Sequence, residues 1–455
     1  MPTANATLRI LHISDIHFRY ESSPGKRAKF IEVETPRRAA VLSGEAWRTN
    51  LDQLLEDGPI DLVCLTGDVA DHGKTEEFAL ATPFVDHLLS VLSLSRDRIF
   101  VVPGNHDVDR KTNKPIWKSV RDYPWPSADV LSHWIAGLDG PPGVRPNWRA
   151  KLCERQSRFW GWIRDLGRDE LLPERPPHAH LGYRVDVGPR LGLAFPVWIL
   201  GFDTAWLCGG DDDAGRIHMS EDQIRQLGTS SNGQPLSGLR LALGHHPLGE
   251  LADGAQARRR LASHADLYLH GHQHDPLTSR TRDPDRGLLE LAAGCLFEGA
   301  GRKHHENGFQ VLTLDLDEGG RPRTIGLRFR SWSRKGDYWH DDASIYKKAT
   351  GGRWRKAWPS AAESTPPTAT IPDTIQEQHN EQEEHADEPE TFPLGVLTEK
   401  IHAKLSDFGY QPCIISLDDN ARHVRVGVIS IAHSPAELQR EVLLFAGENS
   451  DRGTS

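Results

Sequence analysis

The 455 residues are 37% hydrophobic with 13 Trp, enough for one large domain with an appendage or for two or three domains. Five cysteines (Cys64, Cys153, Cys208, Cys295, Cys413) are scattered without a CxxC pair, which argues against a disulfide framework or a thiolate zinc site. Residues 360–455 hold 17 acidic and 6 basic groups, whereas the other 359 residues hold 47 and 48, so the net charge of −10 sits in the tail and the neutral body lacks the broad basic field of a non-specific nucleic-acid binder.

Residues 1–9 carry no basic stretch followed by an apolar one, and no apolar run approaches the roughly 20 residues that span a bilayer. A cytoplasmic protein with reduced thiols and no membrane partner is the expectation. Strand signals, short apolar runs bounded by Gly, Pro, Asp or Asn, fall at 8–13, 62–66, 99–102, 197–202, 239–243, 267–270, 288–292 and 309–316. Helices are predicted over 39–55 and 76–92. A third is predicted from Ser220, where Ser-Glu-Asp-Gln reads as a capping box with Gln223. Strands alternating with helices indicate an α/β domain, placed at 1–358.

Within that domain, 110–190 is Trp-rich (Trp117, Trp125, Trp134, Trp148, Trp160, Trp162) and reads as a helical or irregular insertion, either a lid or an extra packing layer. Residues 359–392 are rich in Pro, Thr, Glu and Gln and read as an acidic flexible linker. Beyond them, 393–455 reads as a small α-β-β-α module, with helix signals at 394–405 and from Ser434 and strand signals at 413–417 and 424–431. A unit this small is near the lower limit for independent folding, so self-association or docking onto a protein partner is expected of it.

Polar clusters follow five of the predicted strands, where open α/β sheets place ligand sites. They are Asp15-Ile-His17, Gly67-Asp68, Gly104-Asn105-His106-Asp107, Gly244-His245-His246-Pro247 and Gly271-His272-Gln273-His274. Carboxylate, imidazole and amide ligands suit divalent ions such as Mn²⁺, Fe²⁺ or Zn²⁺. Asp15, His17, Asp68, Asn105, His245, His272 and His274 exceed the needs of one octahedral ion once waters are counted; they suit two ions sharing a carboxylate.

This order resembles the calcineurin-like metallophosphoesterase superfamily, whose pattern D-x-H … G-D … G-N-H-[DE] … H … G-H-x-H is matched over 15–274. The resemblance covers roughly 8–330 and implies a four-layer β-sandwich flanked by helices, to which the chain adds a small C-terminal α+β module. It implies that Asp15, His17 and His274 bind one divalent ion, that Asn105, His245 and His272 bind the other, and that Asp68 bridges them. It further implies that His106 acts near the leaving oxygen with Asp107 orienting it, and that His246 lies beside the site without being a ligand.

Position 72 is His where the protein Ser/Thr phosphatase branch has a phosphate-gripping Arg, which counts against that branch. Two features are similar to the class III cyclic-nucleotide phosphodiesterase branch: Gly201-Phe202-Asp203-Thr204 followed by Gly215 and Ser220–Gln223, and His245-His246-Pro247 with Ala292-Ala293-Gly294-Cys295 after the GHxH strand. The leading expectation is therefore metal-dependent hydrolysis of phosphoester bonds at a dinuclear site, by a phosphodiesterase acting on a nucleotide or other small ester. A DNA or RNA nuclease of the same superfamily, and an effector recruited through 393–455, are the alternatives.

Three further signals carry less weight. Arg258-Arg259-Arg260 reads as a solvated helix face more readily than as a nucleic-acid contact. The Trp and cation mixture at 332–358 reads as an extension packed on the core more readily than as a stacking platform for bases. His304-His305 reads as an ordinary loop.

Overall fold

The computed structural model describes residues 6–20, 38–173, 181–210, 212–274, 278–283, 286–297, 307–345, 350–358, 410–417 and 424–430. The chain divides into two units, Met1–Thr368 and Ala369–Ser455. In the first unit the strands are β1 (Ala6–Ile13), β2 (Leu62–Leu65), β3 (Ile99–Val101), β4 (Tyr183–Asp186), β5 (Val197–Gly201), β6 (Leu239–Leu243) and β7 (Leu267–His270). They continue as β8 (Thr278–Asp283), β9 (Arg286–Ala292), β10 (Gly308–Leu316), β11 (Pro322–Ser333), β12 (Tyr338–Asp341) and β13 (Arg353–Ala357).

These strands form two sheets. One has the order β12-β11-β10-β1-β2-β3, with β13 also paired to β11; the other has the order β4-β5-β6-β7-β9-β8. At their centres β1, β2 and β3 run parallel, as do β5, β6, β7 and β9. From Leu8 onward every residue of β1 is buried, as befits a parallel strand covered on both faces.

The layers follow from the apolar stripes. Helix α1 (Glu45–Leu55) buries Trp47, Asn50, Leu51 and Leu54, a three-to-four-residue spacing that presents one face. Helix α2 (Thr75–Val91) buries Phe78, Ala81, Val85 and Leu88 in the same way. Both join one core with Ile10, Val63 and Phe100 of the first sheet and Ile199, Leu241 and Leu269 of the second. A second core unites Leu200, Ala242 and Tyr268 of the second sheet with α7 (Glu221–Gly228) and α8 (Gly254–His264). The result is the expected α/β sandwich of two sheets flanked by helices.

The Trp-rich insertion contributes α3 (Lys114–Arg121), α4 (Ala128–Ile135), α5 (Trp148–Cys153) and α6 (Ser157–Asp165). Its tryptophans serve packing: Trp117, Trp134 and Trp148 enter the second core, and Trp162 stacks on Phe78 of α2 with ring centroids 5.6 Å apart. The 332–358 segment also packs. Trp332 and Trp339 are buried, and the Trp339 ring lies 5.5 Å from that of Trp47. The arginine run lies on α8, where Arg258 pairs with Glu290 at 3.3 Å and Arg260 with Glu221 at 2.6 Å.

One local expectation is corrected. Helix α7 does begin after Ser220, but no side-chain cap bond forms there and Ser220 has φ +77°. Ser220 Oγ instead meets Ser132 Oγ at 2.8 Å, and Gln223 is drawn to Asp203, accepting from its N–H at 2.7 Å and donating to its carbonyl at 3.2 Å. In the second unit β14 (Tyr410–Leu417) and β15 (Val424–Ser430) form an antiparallel hairpin. The linker at 359–392, the helices expected at 394–405 and after Ser434, and His304-His305 lie outside the described residues. Among the described residues no helix is long and apolar enough to cross a membrane.

Candidate metal centre

The parallel strands of the two sheets deliver the predicted ligands from their C-terminal ends. Asp15 and His17 follow β1, Asp68 follows β2 and Asn105 follows β3; His245 follows β6, and His272 and His274 follow β7. The loops are tied to one another by backbone bonds: Asp15 N–H to Gly67 O at 3.1 Å, His17 N–H to Asp68 O at 2.9 Å, and Gly271 N–H to His245 O at 3.0 Å. Between the sheets, His245 Nδ1 donates to the Thr66 carbonyl at 2.7 Å and the His272 N–H donates to Asp15 Oδ2 at 3.1 Å.

All seven predicted ligands converge. Asp68 Oδ2 lies 3.3 Å from His245 Nε2 and 3.9 Å from His17 Nε2. Asp15 Oδ1 lies 3.3 Å from His274 Nε2 and 3.8 Å from His17 Nε2. Asn105 Oδ1 lies 3.0 Å from His245 Nε2 and 3.1 Å from His272 Nδ1. Because His245 Nδ1–H donates a hydrogen bond to the Thr66 carbonyl, Nε2 is the nitrogen left to face the cluster and to ligate a cation.

Five of these residues adopt the left-handed backbone: Asp15 (φ +55°), His17 (+51°), Asp68 (+52°), His272 (+70°) and His274 (+59°). Such conformations cost on the order of 1 kcal/mol or more each in residues with a Cβ, and their concentration here marks a site where geometry is imposed by the surroundings. Gly104 explains part of how the loops approach. A Cβ there would overlap Asp68 Oδ1 and the Asp68 backbone nitrogen.

The site fits a pair of cations. His17 Nδ1 and Nε2 are buried without a hydrogen-bond partner, as is Asp15 Oδ1, whose neighbours are the other predicted ligands. Burial works to raise the pKa of Asp15, yet the hydrogen bond and charge of His274, with His245, hold it below the usual carboxylate range. The same opposition, won by His245 and His106, depresses Asp68. Two buried carboxylates thus stand side by side among imidazoles, a placement in which bound cations would take over the compensation that imidazolium charge supplies. Burial lowers His17 to about 4, so its imidazole is neutral and able to ligate. Burial also acts to lower His245, but Asp68 and Asp15 prevail and hold it at about 10, so without cations its Nε2 keeps a proton that a bound cation would displace.

His246 lies beside the cluster, with one donor atom within 4.8 Å of those of His245 and His272, and its ring nitrogens have other partners. Nδ1 meets Thr204 Oγ1 at 2.8 Å and Nε2 meets Cys208 Sγ at 3.6 Å. The expected pairing of His106 with Asp107 is corrected. A turn closed by the Asp107 N–H on Gly104 O carries the Asp107 carboxylate inward, where it accepts from Ala70 N–H at 2.8 Å and Gly104 N–H at 2.9 Å. Asp107 therefore splices the Asp68 loop to the Asn105 loop, and burial with the nearby Asp68 charge pushes its pKa to about 7. His106 is oriented by Asp71: its Nδ1 donates to the Asp71 carbonyl at 2.9 Å and lies 3.3 Å from Asp71 Oδ1.

Three neighbours are given no role by the motif reading. Asp71 sits three residues after Asp68, a spacing that could have drawn attention to it. Cys295 Sγ donates to the Asp15 carbonyl at 3.3 Å and lies within 4.8 Å of ligand atoms of His17 and His274. Arg38 donates to the Ile16 and His17 carbonyls, both at 2.6 Å, bracing the first ligand loop; nothing in the local sequence signals it.

Residues 8–187 match the family described as calcineurin-like phosphoesterase. The uncharacterized metallophosphoesterase-like protein YydB of Bacillus subtilis (strain 168) is 23% identical over 362 residues, which are 76% of this chain and 63% of that protein. The chain thus spans less than two thirds of that relative's length. Among solved structures, a conserved protein of Streptococcus pneumoniae TIGR4 described as a predicted phosphoesterase is 13% identical, with a TM-score of 0.26 over 78% of this chain and 100% of that one. The sulfate thiohydrolase SoxB of Thermus thermophilus is 14% identical, with a TM-score of 0.35 over 76% and 60% of the two chains. Residues 8–187, which carry Asp15, His17, Asp68 and Asn105, are thus similar to the calcineurin-like phosphoesterase family.

Proposed function

We propose that the chain hydrolyses phosphoester bonds at a dinuclear metal site, acting as a phosphodiesterase on a nucleotide or other small ester. The observation that carries this reading is the place of Asp68, whose Oδ2 lies between His245 of one ligand group and His17 of the other, at 3.3 and 3.9 Å. Asp15, His17 and His274 would hold one ion and Asn105, His245 and His272 the other, with Asp68 shared. Two divalent ions bound there (Mn²⁺, Fe²⁺ or Zn²⁺) supply charge to the phosphoryl oxygens and acidify a water.

The chain's own groups do the rest. The His106 N–H donates to Asp68 Oδ1 at 2.8 Å, fixing the carboxylate that both ligand groups share. Burial works to lower the His106 pKa, but Asp68 and Asp71 raise it to about 9, so the ring carries its proton at neutral pH. Since the Asp71 carbonyl can only accept, Nδ1 keeps one proton and Nε2 is the nitrogen that can pass a proton to a departing oxygen. Phosphoryl transfer asks chiefly for positioning and charge neutralisation, which suits this arrangement.

The reciprocal bonds between Asp203 and Gln223 support the small-ester reading, because they join the two parts of the stretch that is similar to the class III cyclic-nucleotide branch. The purified chain with Mn²⁺ should cleave bis(p-nitrophenyl) phosphate and a cyclic nucleotide or nucleotide sugar. Cleavage of linear single-stranded DNA with none of cyclic nucleotides would replace this reading with the nuclease one.

A further inference from the structure

Glu250 lies outside every motif above, in the turn that follows His245-His246-Pro247, yet it reaches a predicted ligand. Its Oε2 lies 3.0 Å from His272 Nε2, and its Oε1 accepts from Gln273 Nε2 at 3.2 Å. The other His272 nitrogen, Nδ1, is the one that faces Asn105 Oδ1 at 3.1 Å. An ionised carboxylate only accepts, so it selects the imidazole with its proton on Nε2 and its lone pair on Nδ1.

The backbone that carries Glu250 is held by the segment 215–220, the remainder of the class III-like stretch. Gly215 N–H donates to Glu250 O at 2.7 Å, and Ala252 N–H donates to Ile217 O at 2.8 Å. Asp253 accepts from the Met219 and Ser220 N–H groups at 3.0 and 2.8 Å. Ile217 and Leu251 also form an isolated parallel bridge. Four hydrogen bonds within a few residues fix the backbone from which the Glu250 side chain extends.

We propose that Glu250 is a positioning residue that fixes His272 with Nδ1 toward the ion shared with Asn105 and His245. This rests on the two-ion reading above. It also gives the Gly215–Ser220 stretch a task, which is to hold the turn that holds the ligand.

The test uses the full chain titrated with Mn²⁺, with bound metal counted by elemental analysis and affinity measured by chelator competition. Glu250→Ala should weaken one of the two ions about 10- to 100-fold and leave the other unchanged. Glu250→Gln, whose carbonyl can accept the same N–H, should recover part of that loss. If Glu250→Ala binds both ions as tightly as the native chain while His272→Ala loses one, the proposal fails and the two-ion reading stands. If His272→Ala also keeps both ions, the two-ion reading fails and the proposal with it. Equal weakening of both ions in Glu250→Ala with no recovery in Glu250→Gln would also overturn it, because the effect would then be a general loss of structure.

Discussion

His106 Nδ1 donates to the Asp71 carbonyl at 2.9 Å, and the Asp71 carboxylate oxygen lies 3.3 Å from the same nitrogen. One residue thereby sets both the ring's orientation and part of its charge. His106→Ala should keep its bound metal and lose about 10²- to 10⁴-fold in kcat on bis(p-nitrophenyl) phosphate, the usual worth of a positioned proton donor.

The same pair makes a pH prediction. Burial lowers the His106 pKa, whereas Asp68 and Asp71 raise it to about 9. Asp71→Asn removes one of the raising charges, so the ring should lose its proton at lower pH. The alkaline limb of the kcat profile should therefore move toward neutrality, with metal content unchanged. An unmoved limb would remove Asp71 from this role.

Gly104 offers a steric test of the shared carboxylate. A methyl group there would overlap Asp68 Oδ1, while the strand before it stays fully buried and paired. Gly104→Ala should lose metal affinity and activity together, and thermal stability with them, because the methyl also meets the Asp68 backbone nitrogen. Full metal content in this variant would show that Asp68 can move without consequence.

Asp203 links stability to pH. Burial raises its pKa to about 7, against hydrogen bonds from Gln156 and the Ala205 N–H. A carboxyl with a raised folded pKa keeps its proton longer in the folded chain. The native state therefore pays nothing below about pH 4, loses stability as pH rises toward 7, and stays at that lower level above it. Asp203→Asn retains an acceptor and lacks the ionisation. Its stability relative to the native chain should rise between pH 4.5 and 8 by on the order of 1–4 kcal/mol, measured by denaturant unfolding. A constant difference across that range would show that Asp203 is not protonated in the fold.

How much of this could be read from residues alone differs by element. The parallel strands announce themselves because burial on both faces leaves runs such as Leu62–Leu65 wholly apolar, and strands 239–243 and 267–270 begin and end where the apolar runs do. Strands β11 and β13 do not, since Arg328 and Arg330 interrupt the apolar pattern of one and the other is Arg-Trp-Arg-Lys-Ala; their arginines are answered only in three dimensions, by Asp57, Asp341 and Asp315. The ligands were legible because they follow strand ends in order, and the structure brings all seven together. The resemblance pairs Asp107 with His106, whereas the turn at Gly104 takes the Asp107 carboxylate to the Ala70 and Gly104 N–H groups and leaves His106 to Asp71. Gln223 was misread as a cap because a distant partner, Asp203, competes for it. Glu250 meets His272 across 22 residues of chain, and no local spacing encodes that.

The most direct measurement is the metal stoichiometry of the native chain beside that of Asp68→Asn, each assayed for bis(p-nitrophenyl) phosphate hydrolysis. The shared-carboxylate account expects two divalent ions per native chain, and joint loss of metal and turnover in Asp68→Asn. Retention of full metal content and full rate by Asp68→Asn would contradict it.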